Sequence, residues 1–265
     1  MKMLHNNPDP EKLLIFDLKG PMAHFRKYYT NSSSLSYLVP PRTVVVGLIA
    51  GLLGLPSERY TKENDEVYYE KFDGNKCLVA VSLRSKIRRM MQTVNYIRTK
   101  SLSEVDGSAG GTQIPLEILL PERGNELTYR IYFYHMDEGI YDKLKKRLEE
   151  QRFVFPPYMG ITEFLASVDY INEGGASKNP KQEIELNSVC KLKEVELDFS
   201  GDYLQYITEN MPTGFLNDRT PRKPKEYVLE VKGKFMKVKL KERATCYSVN
   251  YFEDGCRVIE NVMFM

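Results

Sequence analysis

The sequence predicts an α+β protein, in which a ferredoxin-like (RRM-like) βαββαβ domain is followed by a smaller β-rich subdomain. Short apolar runs typical of strands alternate with two helical segments in the order strand, helix, strand, strand, helix, strand. A long insertion separates the second and third strands, and further strand-like runs fill the last third of the chain. The 265 residues are 42% hydrophobic and 28% charged, which suits a globular chain of one large or two small domains.

The first strand and the first helix come from the N-terminal part of the chain. Leu13–Leu18 is a short apolar run typical of a buried strand. Pro40 and Pro41 favour a helix start, because proline in a first turn loses no N–H that the helix needs; we expect this helix to end near Gly54. Residues 20–40 are predicted to be a long loop, and long loops inside compact domains are usually functional or disordered.

The first domain continues as strand, strand, helix and strand, at Cys77–Leu83, Thr128–Tyr134, Glu138–Gln151 and Phe164–Ile171. The insertion at about 85–125 lies between Cys77–Leu83 and Thr128–Tyr134 and has a glycine-rich tip at Asp106–Gly111. We expect it to form a long protruding β-hairpin.

The polar stretch 173–182 is predicted to connect the domain of residues 1–175 to the subdomain of residues 176–265. The expected strands of the subdomain are Ser188–Phe199, Glu226–Val231 and Phe235–Leu240. Met211–Lys225 contains prolines and little apolar content, so we expect a loop there that is open to movement.

The net charge is only +2, but the charges are unevenly distributed. Residues 84–100 contain six basic residues and no acidic one, and residues 219–243 contain ten basic and three acidic ones. Six carboxylates are concentrated in residues 58–73. Such segregation predicts a cationic stripe that attracts a phosphate backbone, and the alternative is that each run is a solvated face.

Several classes of protein are disfavoured by the composition. The longest apolar run, Val44–Leu55, is shorter than the roughly 20 residues that a membrane-spanning helix needs, and no apolar segment typical of a secretory signal follows the N-terminus. Cys77, Cys190, Cys246 and Cys256 show no CxxC spacing, so we expect free thiols rather than a disulfide framework or a zinc site. We therefore expect a cytoplasmic protein without a membrane segment.

No sequence motif indicates a metal ion or another cofactor. The three histidines show no metal-ligand spacing, and the chain has neither a GxSxG motif nor a P-loop. A metal-free ribonuclease site is compatible with the sequence, because His24 and the groups near it offer an acid, a base and cations.

The segment Ala23–Tyr37 combines cations, aromatic rings and hydroxyl groups. Rings stack on unpaired bases, cations bind phosphates and hydroxyls reach the ribose 2′-OH, so the segment predicts RNA binding. The alternative is that some of its rings belong to the core.

Two long stretches then carry a family resemblance. FDLKGPMAHFRKYYT at 16–30 and YLVPPRTVVVGLIAGLLGL at 37–55 resemble the N-terminal signature of the CRISPR-associated Cas five family, in the repeat-associated RNA-binding (RAMP) superfamily. The resemblance continues at TQIPLEILL, YRIYFY and PPYMGITEFLA, and covers about residues 13–172. The pattern is most similar to the type I-B branch.

The resemblance implies the same fold, with the hairpin called the thumb. It implies a non-catalytic subunit of a type I Cascade surveillance complex, which binds and caps the 5′ handle of the crRNA and helps crRNA-guided recognition of foreign DNA. The implied partners are the crRNA, the Cas seven backbone subunit, the Cascade large subunit and target DNA through the assembled complex, without a membrane.

The resemblance also implies a set of RNA-binding residues. They belong to the loop after the first strand, to the PPRT turn, to the hairpin and to the glycine motif before the fourth strand: His24, Arg26, Lys27, Tyr28, Arg42, Thr43, Arg88, Arg89, Arg98 and Gly160. The composition of segment 23–37 and of the basic run 84–100 adds Tyr37 and Arg84 to the predicted RNA-binding residues.

One branch of the family, type I-C, cleaves its own precursor RNA with a tyrosine and an adjacent lysine–histidine pair. Tyr37 is a candidate for the tyrosine, but this sequence has no Lys-His dipeptide. We therefore expect a non-catalytic protein, with a metal-independent endoribonuclease that processes precursor crRNA as the alternative.

Overall fold

The computed structural model describes residues 8–30, 33–61, 65–97, 101–108, 110–200, 204–216 and 218–265. It is mostly β, with 45% strand and 14% helix, and its main element is a curled sheet.

The helices are α1 (Arg42–Leu53), α2 (Tyr68–Lys71) and α3 (Glu138–Glu150), with short 3₁₀ turns at Leu102–Glu104 and Leu192–Glu194. The strands are β1 (Lys12–Gly20), β2 (Phe25–Arg26), β3 (Ser36–Tyr37), β4 (Cys77–Leu83), β5 (Ile87–Ile97), β6 (Gly111–Pro121), β7 (Leu127–His135), β8 (Ser167–Lys178), β9 (Glu183–Leu186), β10 (Cys190–Lys191), β11 (Val195–Leu197), β12 (Tyr206–Met211), β13 (Lys225–Glu230), β14 (Met236–Leu240), β15 (Tyr247–Glu253) and β16 (Cys256–Val262).

The six strands of the main sheet follow the order β16-β15-β8-β1-β7-β4, and every neighbouring pair is antiparallel. The sheet curls until its two edges meet. The amide of Met265, just after β16, donates to the carbonyl of Val79 on β4 at 2.9 Å. Arg84, just after β4, donates to the carboxylate of Glu260 on β16 at 2.5 Å.

The apolar run in β1 is buried on both sides of the sheet because successive strand residues point to opposite faces. Leu14 and Phe16 join the larger core, which includes buried residues of α1 and α3. Leu13 and Ile15 join a separate cluster inside the curl. An uninterrupted apolar strand is therefore what this sheet requires at its centre.

The predicted first helix and hairpin are confirmed. α1 begins at Arg42, directly after Pro41, and is followed by Gly54 in the left-handed region at φ 72°. β5 and β6 form a two-stranded hairpin that lies outside the main sheet.

The predicted connector at 173–182 is wrong over its first half, since β8 continues to Lys178. Gly174 is needed there for packing, because a Cβ at this position would lie 2.8 Å from Cδ1 of Ile15. The register of β1 against β8 is regular at this point, with Gly174 opposite Leu13, and it shifts only farther along, between Ile15 and Phe16. A glycine pair that resembles a linker in the sequence therefore lies inside a strand, where Gly174 allows close packing against β1.

The C-terminal part of the chain contains two three-stranded sheets, β10-β13-β12 and β11-β14-β9, around a small core. The predicted strand Ser188–Phe199 is divided into β10, a 3₁₀ turn and β11. Strands β15 and β16 leave this part and extend the main sheet through β8. The division at residue 175 stays a prediction, with β8 running across it.

Candidate nucleic-acid interface

The loop after β1 is held against the hairpin. Ala23 and Leu119 exchange two backbone hydrogen bonds of 3.1 and 2.9 Å, and the amide of Glu117 donates to the carbonyl of Ser34 at 2.9 Å. The short pair β2 and β3 therefore lies beside β6, and the loop predicted to contact RNA adjoins the base of the hairpin.

Three exposed side chains stand out in this loop. Arg26 is exposed and makes no ion pair within the described residues. Tyr28 and Tyr29 are half exposed, at 51% and 50%, and their rings meet edge to face with centroids 5.2 Å apart. Tyr29 was not among the predicted site residues, although it shares the aromatic signal that singled out Tyr28. Two open rings beside a cation offer stacking surface and charge together.

The hairpin base adds Arg88 and Arg89, both exposed on β5. Successive strand residues point to opposite faces, so only one of the two arginines lies on the face of Glu117, the cross-strand partner of Met91. That residue is Arg89, whose Nη1 is 3.7 Å from Oε1 of Glu117.

Glu117 joins the hairpin to the loop. Its carboxylate accepts from the amide of Ser36 at 2.8 Å, and Ser36 pairs with Arg26 across β2 and β3. We call Arg26, Tyr28, Tyr29 and Arg89 the cation–aromatic surface. Its cations suit phosphates and its rings suit unpaired bases.

His24 is 1% exposed, so its ring lies inside the protein and outside the cation–aromatic surface. Its Nδ1 donates to the carbonyl of Glu117 at 2.7 Å, and its Nε2 accepts from the Ser34 hydroxyl at 2.8 Å. Burial lowers the pKa of His24 and outweighs the hydrogen bond to Glu117, which acts in the opposite direction. Its ring nitrogens therefore link the loop to β6 and leave no nitrogen for a ligand.

Tyr37 is also buried, at 1% exposure, and its hydroxyl donates to the carbonyl of Asn210 at 2.7 Å. Burial raises the pKa of its phenol. Lys27 lies over the Tyr37 ring and pairs with Glu209 at 2.6 Å, with both charged side chains largely buried. The predicted contacts of Tyr37 and Lys27 with RNA are corrected here, because both side chains are engaged inside the protein.

Arg42 is 5% exposed, and its guanidinium donates to three backbone carbonyls. Nη2 lies 2.7 Å from the Phe72 oxygen and 3.0 Å from the Cys77 oxygen, and Nη1 lies 3.4 Å from the Thr213 oxygen. Arg42 is therefore not open to a phosphate, which corrects its predicted role. Thr43 is half-buried in the first turn of α1.

Arg84 lies at the seam of the curled sheet. It donates to the Tyr132 hydroxyl at 2.8 Å and to the Glu260 carboxylate at 2.5 Å. Tyr251 also donates to Glu260, at 2.8 Å. Burial alone would raise the pKa of the Glu260 carboxyl. The hydrogen bonds from Arg84, Tyr132 and Tyr251 outweigh burial, so the pKa of Glu260 lies below its usual value. The predicted phosphate contact of Arg84 is corrected because its guanidinium holds the sheet edges together.

Gly160 faces the loop itself. Its φ is +91°, and a Cβ there would lie 1.9 Å from the carbonyl oxygen of His24. The close approach predicted for RNA is made by the protein's own backbone. Arg98 lies outside the described residues.

Within the described residues, no group of three or more His, Cys, Asp or Glu side chains is arranged to hold a metal ion. No helix in that part of the chain has the length and apolar character that crossing a membrane requires.

The family model described as "CRISPR-associated protein (Cas_Cas5)" matches residues 13–225, well over half of the chain. The chain belongs to this Cas five family. The predicted family is thereby confirmed, and with it a CRISPR-associated role. No curated protein matches this Cas five sequence.

Solved structures similar to this Cas five protein include a CRISPR protein from Archaeoglobus fulgidus, with a TM-score of 0.53 at 15% identity. That match covers 94% of this chain and 98% of the other and shows a shared fold. A chain described as "CRISPR RNA-guided surveillance complex" has a TM-score of 0.47 at 11% identity, over 84% of this chain and 91% of that chain.

Proposed function

We propose that this Cas five protein is a non-catalytic subunit of a type I Cascade surveillance complex that binds and caps the 5′ handle of the crRNA. The cation–aromatic surface is the observation that carries the proposal. Arg26 and Arg89 are exposed cations, and Tyr28 and Tyr29 are open rings, beside a protruding hairpin. Single-stranded RNA is bound by this combination of phosphate-binding cations and stacking rings.

The strand order supports a ferredoxin-like reading of the fold. β8, β1, β7 and β4 are adjacent in that order, α1 follows β1, and α3 joins β7 to β8. This is the order of a βαββαβ domain, with the hairpin between its second and third strands. Proteins of this architecture commonly bind single-stranded RNA by stacking its bases on exposed aromatic rings.

The finer assignments belong to the same proposal. We place the protein in the type I-B branch and in the cytoplasm, in contact with the crRNA, the Cas seven backbone subunit and the large subunit. Its contact with target DNA passes through the assembled complex. The proposal of these partners rests on membership of the family.

The proposal of a non-catalytic role rests on the positions of the two best catalytic candidates. His24 and Tyr37 are each 1% exposed and have hydrogen-bond partners inside the protein. A general acid or base must reach the ribose hydroxyl or the leaving oxygen within hydrogen-bond distance. Neither side chain is open to a substrate in this arrangement.

The test is a binding and cleavage assay with the purified full chain and one repeat RNA, in EDTA, with mapping of the 5′ ends of any product. We expect binding without cleavage, with a salt dependence that reports phosphate contacts. Preference for the handle over a scrambled RNA of equal length separates handle binding from general polyanion binding. A single cut that leaves a defined 5′ handle contradicts the non-catalytic proposal and supports an endoribonuclease.

A further inference from the structure

The outer edge of β5 is a long strand edge to which no strand is paired in the described residues. β5 pairs with β6 along its 11 residues, from Ile87 opposite Pro121 to Ile97 opposite Gly111, without a register shift. The two strands form a sheet of their own. An unpaired edge presents a row of N–H and C=O groups that another strand can complete.

The register identifies which groups lie on that edge. Glu122 donates to the carbonyl of Lys86 at 2.8 Å, so this pair is hydrogen-bonded across the hairpin. Hydrogen-bonded and non-hydrogen-bonded pairs alternate in an antiparallel ladder. Even-numbered residues of β5 therefore bond to β6, and the odd-numbered ones direct their N–H and C=O groups outwards: Ile87, Arg89, Met91, Thr93, Asn95 and Ile97.

The prolines of β6 agree with this assignment. Pro115 and Pro121, which have no N–H, both occupy odd positions, where a donor would point away from β5. The carbonyl of Pro115 accepts instead from the amide of Ser34, on the far side of β6. On the β5 edge, the Thr93 carbonyl accepts from the exposed side-chain amide of its neighbour Gln92 at 3.2 Å.

This edge has few of the features that usually protect one. Protein sheets shield their edges with proline, bulges, short strands or charge. β5 has no proline and no register shift, and residues 90–97 carry no charge. Met91, Tyr96 and Ile97 are 53%, 46% and 57% exposed. Exposed apolar side chains on an open edge are typical of a surface that becomes covered in an assembly.

We propose that the outer edge of β5 binds an extended segment of a partner protein by strand addition. Where the partner's segment lies along residues 90–97 of β5, it consists of uncharged, β-branched residues. Where it passes Arg88 and Arg89, it carries a carboxylate. The edge alternates donors and acceptors, which another peptide backbone matches on both counts. A nucleic-acid backbone offers phosphate acceptors and needs cations, and the uncharged stretch supplies none.

The edge meets the cation–aromatic surface only at Arg89, and the unpaired N–H and C=O groups that carry this proposal do not belong to that surface, so the proposal does not rest on RNA binding. The test uses the full chain and a synthetic peptide, acetyl-Thr-Val-Thr-Val-Thr-Val-Glu-amide. In antiparallel addition with its C-terminal glutamate opposite Arg89, the seven residues of the peptide lie opposite residues 89–95. We expect amide exchange at the outward positions 89, 91, 93 and 95 to slow by about tenfold or more on saturation, with little change at the even positions.

The first control is a pair of N-methylated peptides. One peptide is N-methylated at its three threonine positions and the other at its three valine positions, so each lacks the N–H donors of one edge. Only one of the two peptides is expected to bind about tenfold more weakly, because only one edge of the peptide faces β5.

The second control is a pair of variants of the protein. Thr93→Pro removes one outward N–H and leaves the β6 ladder in place, whereas Thr93→Ala keeps the N–H. We expect the proline variant to bind about tenfold more weakly and the alanine variant to bind like the parent.

Other results overturn the proposal. Equal binding of the parent and both methylated peptides means that no backbone ladder forms, and this comparison decides the matter if Thr93→Pro fails to fold by circular dichroism. A dimer seen by light scattering and abolished by Thr93→Pro means that a second copy, not a partner protein, occupies the edge. Protection of the same amides by single-stranded RNA alone means that the occupant is a nucleic acid.

Discussion

Arg84 and Arg89 lie close together in one basic stretch of the sequence, yet they occupy opposite environments. Arg84 closes the seam of the curled sheet, bonded to Tyr132 and Glu260. Arg89 lies on the hairpin with its side chain 46% exposed and only a 3.7 Å approach to Glu117. The same residue type therefore stabilises the fold in one region and is available to a ligand in the other. Charge in a sequence does not separate these roles, whereas the partners of each cation do.

The largest expected effect is the loss of stability in Arg84→Ala. Removing one partner of a buried pair leaves an uncompensated charge, here Glu260, whose side chain is 8% exposed. Such a loss costs about 3 kcal/mol of unfolding free energy, measured by urea denaturation. Arg88→Ala is the control and is expected to stay within about 0.5 kcal/mol of the parent, because Arg88 is exposed and makes no ion pair within the described residues. A stable Arg84→Ala protein with weakened RNA binding contradicts the structural role of Arg84.

Gly160→Ala is expected to lower the unfolding free energy of the protein by about 2–3 kcal/mol. The left-handed backbone at this position and the close approach of the His24 carbonyl both oppose a Cβ. Gly124→Ala is the control, since its φ is +77° but a Cβ there meets nothing within 4 Å. We expect that variant to lose only about 1 kcal/mol in the same urea titration. Equal losses at the two glycines imply that the contact with His24 is unimportant.

Arg26→Ala and Arg89→Ala are each expected to weaken binding of the repeat RNA by about fivefold to tenfold while the protein stays folded. The physical reason is the loss of one phosphate contact, which also reduces the slope of log affinity against log salt by about one. Fluorescence anisotropy over a salt series measures both quantities. Lys143→Ala removes an exposed cation from α3 and is the control, expected to bind like the parent. A loss of affinity in Lys143→Ala equal to that in Arg26→Ala indicates attraction by overall charge alone.

Tyr28→Ala is expected to weaken RNA binding by about fivefold, because a stacking ring is lost. Tyr28→Phe keeps the ring and is expected to retain the affinity. The same anisotropy assay distinguishes them. If the phenylalanine variant is as weak as the alanine variant, the hydroxyl and not the ring makes the contact.

The sequence predicted much of the architecture because its signals are local. α1 follows a proline pair, and the apolar β1 is buried on both faces. It predicted the site less well, since exposure depends on distant partners. Lys27 pairs with Glu209, and Arg42 donates to the carbonyl of Thr213. Both partners are far away in the sequence, so no local pattern reveals these contacts. Arg26 and Arg88 stay open because the described chain brings no carboxylate within ion-pair distance of them.

The smallest expected effect is a pH dependence from His24, the enclosed member of the loop. Burial lowers its pKa in the folded protein below the usual value of about 6.5, so the unfolded chain takes up the proton first. The contribution of His24 is therefore complete above that value and declines as the pH falls towards its folded pKa. Burial lowers the pKa of His135 in the same direction, so both histidines act in this window. The urea midpoint is expected to be lower at pH 5 than at pH 7, and this difference is expected to be smaller in His24→Gln. An undiminished difference means that His24 does not contribute and that other groups, such as His135, carry the pH dependence.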